Sequence, residues 1–320
     1  MERFLSQLLA GNSGAGVIDL CLDHALIKDD HAERFDSISG LEQFPDLEIL
    51  SISMHELPSP VGLPHSSILK RLNLSQNHLQ ELADFPHFEA LQFLDLSLNE
   101  LQSLRGMPSL PSLRELHLSF NHLPSFDHLP ELPNLRILTA SGNRPLKDLR
   151  MLVQCPSLQE LYLTNCFISE WQSVTELDNL KLLAASPANP LVLEPLKGNK
   201  SLESLRLNAK RMGEIVYFPA FKKLKHLRIK GGPQVKRLRG LDKLTGLEQL
   251  ELQKNGLEEI PEVSGESLTS MDLSHNPLRS LKGLEAYPKL KRLGLGRTLV
   301  PISELEVFEQ TRPEVELFWN

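Results

Sequence analysis

The pattern L-x-x-L-x-L-x-x-N-x-L recurs thirteen times along the chain. Its first position falls at Val17, Leu47, Leu69, Leu91, Leu113, Leu135, Leu158, Leu180, Leu202, Leu224, Leu247, Leu268 and Leu290. The first step is 30 residues and the other steps are 21 to 23. Chance apolar patterning does not hold register over such a distance, so the chain must stack one small structural unit on itself many times. Leucine makes up 67 of the 320 residues because each unit needs a fixed number of them.

Two periods coexist inside each unit. The x-L-x-L-x segment alternates, which predicts a short strand with leucines inward and variable residues outward, as in Leu116 and Leu118 against Glu115, His117 and Ser119. After the Asn, apolar residues return every third position, at Leu79, Leu82, Phe85 and Phe88 and again at Leu101, Leu104, Met107 and Leu110. That spacing suits a 3₁₀-like return. The asparagines at position nine (Asn77, Asn99, Asn121, Asn143, Asn255 and Asn276) are expected to bind turn backbones of adjacent coils, a structural duty. Four consecutive units carry Cys166, Ala188, Lys210 and Gly232 there instead, which predicts a less regular stretch between about residues 160 and 235. Trp171 falls in the slot of Leu82, Leu104 and Phe126 and reads as core.

The spacing matches the leucine-rich repeat. The expected fold is an α/β solenoid, a horseshoe of about thirteen ~22-residue repeats with a parallel sheet on the concave face and 3₁₀ or irregular convex returns. Residues 1–16 are expected to cap the N-terminal end, 17–300 to form the solenoid, and 301–320 to cap the other end, as one domain. In the second cap, residues 302–311 read as a short amphipathic helix, with Val315, Leu317, Phe318 and Trp319 closing the last coil.

Composition excludes several classes. A charged or polar residue interrupts every leucine cluster within a few positions, so no segment reaches the roughly 18 to 20 apolar residues of a membrane span. The N-terminal apolar stretch is too short for a secretory signal, and Cys21, Cys155 and Cys166 form no CxxC pair. An intracellular location, cytoplasmic or nuclear, is expected. There is no P-loop, GxSxG or HExxH, and the eleven histidines are scattered without metal-ligand spacing. Neither catalysis nor a cofactor or metal is expected. His117 with Glu115 and Asp95 is the nearest approach to an acid/base cluster, and no nucleophile accompanies it.

With its 22-residue units, the chain resembles the intracellular leucine-rich repeat class that includes a regulatory subunit of protein phosphatase 1, over residues 17–300. The segment LQELYLTNCFISEWQSVTEL, residues 158–177, is similar to a Trp-containing segment of that regulator. The start, VIDLCLDHALI with LEQFPDLEILSIS at residues 41–53, is similar to the acidic nuclear phosphoprotein family, without that family's long acidic tail. The resemblance implies a non-enzymatic scaffold or regulatory subunit, with a phosphatase catalytic subunit as one partner.

Outward strand positions are free of core duty, and apolar groups there have no structural reason to face water. Phe93, Leu98, Phe120, Ile137, Tyr162 and Leu182 do so, accompanied by Asp95, Glu115, His117 and Glu160. Aromatic and aliphatic anchors beside carboxylates predict a protein-binding patch. The alternative is that Leu98 and Phe120, at position eight, tuck into the next turn. Later units present Arg206, His226, Arg228, Lys230, Lys254 and Arg292 instead. Residues 197–243 hold 14 Lys/Arg against three Asp/Glu, so the formal charge of −7 divides into +11 there and −18 elsewhere. This basic face is the second candidate, for a phosphorylated or acidic protein or for nucleic acid. Against nucleic acid, the stretch carries only Tyr217, Phe218 and Phe221 as aromatics, two of them at core positions, and no RNP, KH or zinc pattern.

Overall fold

The computed structural model describes residues 14–24, 34–166, 168, 171–187 and 190–319. Of the N-terminal cap expected at residues 1–16, residues 1–13 lie outside them. The chain divides into two compact units, Met1–Leu163 and Thr164–Asn320.

In the first unit each repeat contributes one short strand: β1 (Asp19–Cys21), β2 (Ile49–Ser51), β3 (Arg71–Asn73), β4 (Phe93–Asp95), β5 (Glu115–His117), β6 (Ile137–Thr139) and β7 (Glu160–Leu163). They pair in chain order, all parallel, with equivalent positions side by side, for example Leu72, Leu94, Leu116 and Leu138. These leucines and the next inward ones, Leu74, Leu96 and Leu118, are fully buried. At about 1.5–3 kcal/mol for each buried Leu, this repeated term holds one coil against the next.

The second unit continues with β8 (Leu182–Ala185), β9 (Ser204–Asn208), β10 (Ile215–Tyr217), β11 (His226–Lys230), β12 (Arg237–Arg239), β13 (Gln249–Glu251), β14 (Ser270–Asp272), β15 (Arg292–Gly294), helix α1 (Ile302–Thr311) and β16 (Glu316–Phe318). Its main sheet runs β8-β9-β11-β13-β14-β15-β16, while β10 and β12 form a separate parallel ribbon in the returns. Each of the thirteen repeats thus supplies one sheet strand, and the C-terminal segment adds β16.

The returns are irregular, with 3₁₀ turns at Leu41–Gln43, Arg150–Gln154, Gln172–Glu176, Pro190–Gly198, Leu241–Lys243 and Leu284–Ala286. Helix α1 has the expected bounds and buries Leu305 and Phe308. The expectation that Phe318 helps close the last coil is corrected. Strand alternation turns Leu317 inward and Phe318 outward, where it is 47% exposed, so Leu305, Phe308 and Val315 supply the buried groups.

Each position-nine Asn ties two coils together. Asn121 donates from Nδ2 to the carbonyls of Leu96 (2.9 Å) and Leu118 (3.1 Å) and accepts the Leu101 N–H at Oδ1 (3.0 Å). Asn143 and Asn276 do the same one coil further on in their own units. Where the ladder lapses, other amides substitute. Asn199 donates to Val174 and Leu177 carbonyls, and Gln234 donates to those of Ala209, Lys210 and Met212. The predicted irregular stretch contains β10, and its ribbon partner β12 follows directly after it. Trp171 is core, 1% exposed.

The long first step is anchored by His55, which is buried. Its Nδ1 accepts the Phe35 N–H (3.0 Å), so Nε2 carries the proton and donates to the Leu22 carbonyl (2.6 Å). The Phe35 ring stacks on the imidazole at 4.2 Å between centroids.

Candidate functional site

Position eight of the repeat has a backbone requirement that the leucine pattern does not reveal. At Met54, Gln76, Leu98, Phe120 and Gly142 in the first unit, and at Lys254, His275 and Arg297 in the second, φ lies between 55° and 78°. The strand ends there and the chain must turn sharply. A branched or bulky side chain in left-handed backbone costs of order 1–2 kcal/mol. Leu98 and Phe120 nonetheless occupy it, 47% and 54% exposed. They do not tuck into the next turn as core. Phe120 rests partly on Gly142, where an added Cβ would lie 2.6 Å from the ring, and the rest of the ring faces solvent.

Beside these two residues the strands lay out the remaining candidates of the first unit. Asp95 pairs in register with His117 and His117 with Thr139, while Ile137 lies between Glu115 and Glu160. The Phe93 ring is flanked on both sides. Arg71 Cζ stands 4.0 Å from its centroid and the His117 ring 5.1 Å away. His117 Nδ1 is 3.1 Å from Thr139 Oγ1, and its Nε2 is shielded without a hydrogen-bond partner among the described residues. A cation over an aromatic face contributes about 0.5–1 kcal/mol at an exposed site and holds the ring in place.

The carboxylates face outward with few obligations. Asp95 accepts the Ser97 N–H (2.8 Å), Glu160 accepts the Tyr162 hydroxyl (2.7 Å), and Glu115 lies 3.7 Å from His117 Nε2. None is ion-paired to a lysine or arginine among the described residues. Nine of the ten predicted patch residues therefore share β4 to β7 and their exit turns. Leu182, the tenth, is the first residue of β8 in the other unit, half-buried. Arg71 was not foreseen. It sits at an outward position in its repeat, but a search for apolar anchors passes over a charge.

In the second unit Arg206 and Arg228 are register neighbours, and Glu251 offsets the repulsion by pairing with Arg228 at 3.4 Å. His226 and Lys230 flank them on β11, and Lys254 is exposed in the turn after β13. Arg292 is not brought to this group. Strand β14, with Asp272, intervenes, and Arg292 pairs with Glu316 of β16 at 3.2 Å. The basic block also splits, because Arg237 and Arg239 lie on the β10–β12 ribbon in the returns and Lys236 directly precedes it. Tyr217 on that ribbon is 59% exposed, whereas Phe218 and Phe221 are buried.

Cys21, Cys155 and Cys166 form no disulfide with one another, and burial pushes the Cys155 thiol up to about 12. Among the described residues no group of three His, Cys, Asp or Glu side chains converges, and no helix is long and apolar enough to cross a membrane.

One parallel strand per 22-residue coil, inward leucines, an asparagine ladder and 3₁₀ returns define a leucine-rich repeat protein. Known proteins agree with this at the level of the fold. The Leucine Rich Repeat family profile matches residues 112–135. Comparison with curated protein sequences gives no match. Among solved structures, the chain is similar to YopM from Yersinia enterocolitica WA-314 at 28% identity and a TM-score of 0.57, over 79% of this chain and 52% of that one. The chain thus spans about half the length of YopM. An internalin (InlF) from Listeria monocytogenes aligns with 99% of this chain and 87% of its own at 17% identity and a TM-score of 0.65. The functional domain of InlJ from the same organism aligns with 82% and 61% at 19% identity and a TM-score of 0.52.

Proposed function

We propose that the protein is a non-enzymatic, intracellular interaction scaffold or regulatory subunit that binds a protein partner on the outward sheet face of its first unit. One observation carries this reading. Leu98 and Phe120 are solvent-exposed apolar side chains held in left-handed backbone, where glycine or asparagine would cost less and a polar residue, as at Gln76 or Lys254, would expose less apolar surface. Next to them stand a clamped aromatic ring, Phe93, and three carboxylates without a lysine or arginine partner among the described residues, which provide the anchor and polar surround of a binding hot spot. His117 has the Thr139 hydroxyl at 3.1 Å and Glu115 at 3.7 Å, and we read this group on the outward strand face as contact residues rather than as a catalytic set.

A phosphatase catalytic subunit is the partner that the resemblance names. Trp171 is buried, so contact with such a subunit would fall to the outward residues instead. The test is comparative capture. Proteins retained by the wild-type chain from a lysate and lost with Phe93→Ala or Phe120→Ser, at unchanged melting temperature, define the partner. Equal retention by all three chains would sink the reading.

The second reading uses the basic face. Arg206, His226 and Lys230 have no carboxylate partner among the described residues, which suits an acidic or phosphorylated protein. Reversing Arg206 and Lys230 to Glu would then abolish binding while Phe120→Ser would leave it intact.

A further inference from the structure

Between residues 233 and 263 two successive returns of the second unit touch and then part. The Gly256 N–H donates to the Val235 carbonyl at 2.9 Å, and a Cβ on Gly256 would stand 2.2 Å from the Pro233 carbonyl oxygen, so the coils are in close contact there. Beyond that point the later coil turns its backbone away. The Tyr287 hydroxyl donates to the Pro261 carbonyl (2.5 Å) and accepts the Val263 N–H (3.2 Å), and Pro261 has no N–H of its own.

Among the described residues strand β12 consequently has a partner on one side only, β10. The Arg237 N–H donates to the Glu214 carbonyl and the Arg239 carbonyl accepts the Phe218 N–H, both toward β10. Strand alternation therefore points the N–H and C=O of Leu238 the other way, into the gap. The gap is a slot of about 340 Å³. Leu238 and Ile260 form an apolar floor, less completely sealed than most return leucines. One rim carries Arg237 and Arg239 and the other Glu259 and Glu262, and neither arginine is ion-paired among the described residues.

We infer that this slot binds an extended peptide segment of a partner protein, which adds a strand to the open edge of β12. Three features select that occupant. The free N–H and C=O of an edge strand match the main chain of an extended peptide. The floor accepts an apolar side chain pointing down. Rims of opposite sign suit flanking side chains of opposite charge, whereas a nucleic acid would set its phosphates against Glu259 and Glu262. The slot lies in the returns of the second unit and is separate from the sheet-face site proposed above.

The test selects binders to the full chain from a displayed library of random linear peptides. Enriched peptides should slow hydrogen exchange of the Leu238 amide and lose about tenfold in affinity when one central backbone nitrogen is N-methylated, the scale of one lost hydrogen bond. Ile260→Trp should fill the slot and abolish binding. Because that variant could disturb the core, Arg239→Glu with Glu262→Lys, both exposed, serves as the fold-neutral check and should change which peptides are enriched. Three results would overturn the inference: no enrichment, enriched peptides indifferent to all of these substitutions, or salt-sensitive binding of poly(U) RNA that Arg237→Glu removes.

Discussion

At residue scale, the strained position-eight side chains couple stability to function. Replacing Leu98 or Phe120 by Gly removes a side chain from left-handed backbone at a site where little is buried. Strain relief of about 1–2 kcal/mol works against the roughly 0.5–1 kcal/mol that glycine costs in chain entropy. Denaturant melts of these variants are expected to show stability unchanged or raised by up to about 1 kcal/mol, together with loss of the captured partner. A loss of stability would mean that the side chains are core after all. His55 supplies a second residue-scale prediction. Burial, and to a lesser degree the His24 and Arg34 charges, hold its pKa below the ordinary histidine value, against the opposing pull of the Leu22 carbonyl and the Asp23 carboxylate. The neutral form is the folded form, since protonation would replace the acceptor that binds the Phe35 N–H. The stability it contributes is complete above the unfolded pKa of about 6.5 and declines as pH falls from there toward the depressed folded value. Protection of the Phe35 amide, measured as exchange relative to the intrinsic rate at each pH, should fall over that interval, and His55→Gln should flatten the dependence.

The elements depend on amides as much as on leucines. Asn121→Ala removes two donors and one acceptor that serve the buried backbone of Leu96, Leu118 and Leu101. With roughly 1–3 kcal/mol for each buried group left unsatisfied, and some relaxation, a loss of about 3 kcal/mol is expected in urea unfolding. A loss below about 1 kcal/mol would show that water replaces the amide. Strand positions, inward leucines, the α1 bounds and this ladder were all legible in the sequence, because each follows from a period that a single unit already displays. The β10–β12 ribbon was not. Ile215–Tyr217 and Arg237–Arg239 alternate like many short segments, and only the Tyr287 contact with the later coil decides that β12 keeps an open edge. Gln234 and Asn199 likewise stand outside the repeat position that they replace functionally, so no pattern marks them.

At the scale of the whole molecule, charge is segregated along the chain, with +11 in residues 197–243 and −18 in the remainder. A net-negative protein so divided should still be retained by heparin at low ionic strength and released as the screening length falls to about 10 Å near 0.1 M salt. Arg206→Glu with Lys230→Glu should shift elution to lower salt, and passage of the wild-type chain straight through the column would contradict this. The sequence by itself determined the architecture. A 22-residue period with inward leucines admits one economical burial scheme, and outward positions follow from strand alternation. Only the tertiary structure decided what those outward residues do. Whether Leu98 and Phe120 are core or surface depends on the handedness of the turn after each strand. Which cations remain available depends on neighbours one or two coils away, as Arg292 with Glu316 demonstrates. Periodicity specifies direction and spacing, while pairing between coils is set by contacts some twenty residues apart.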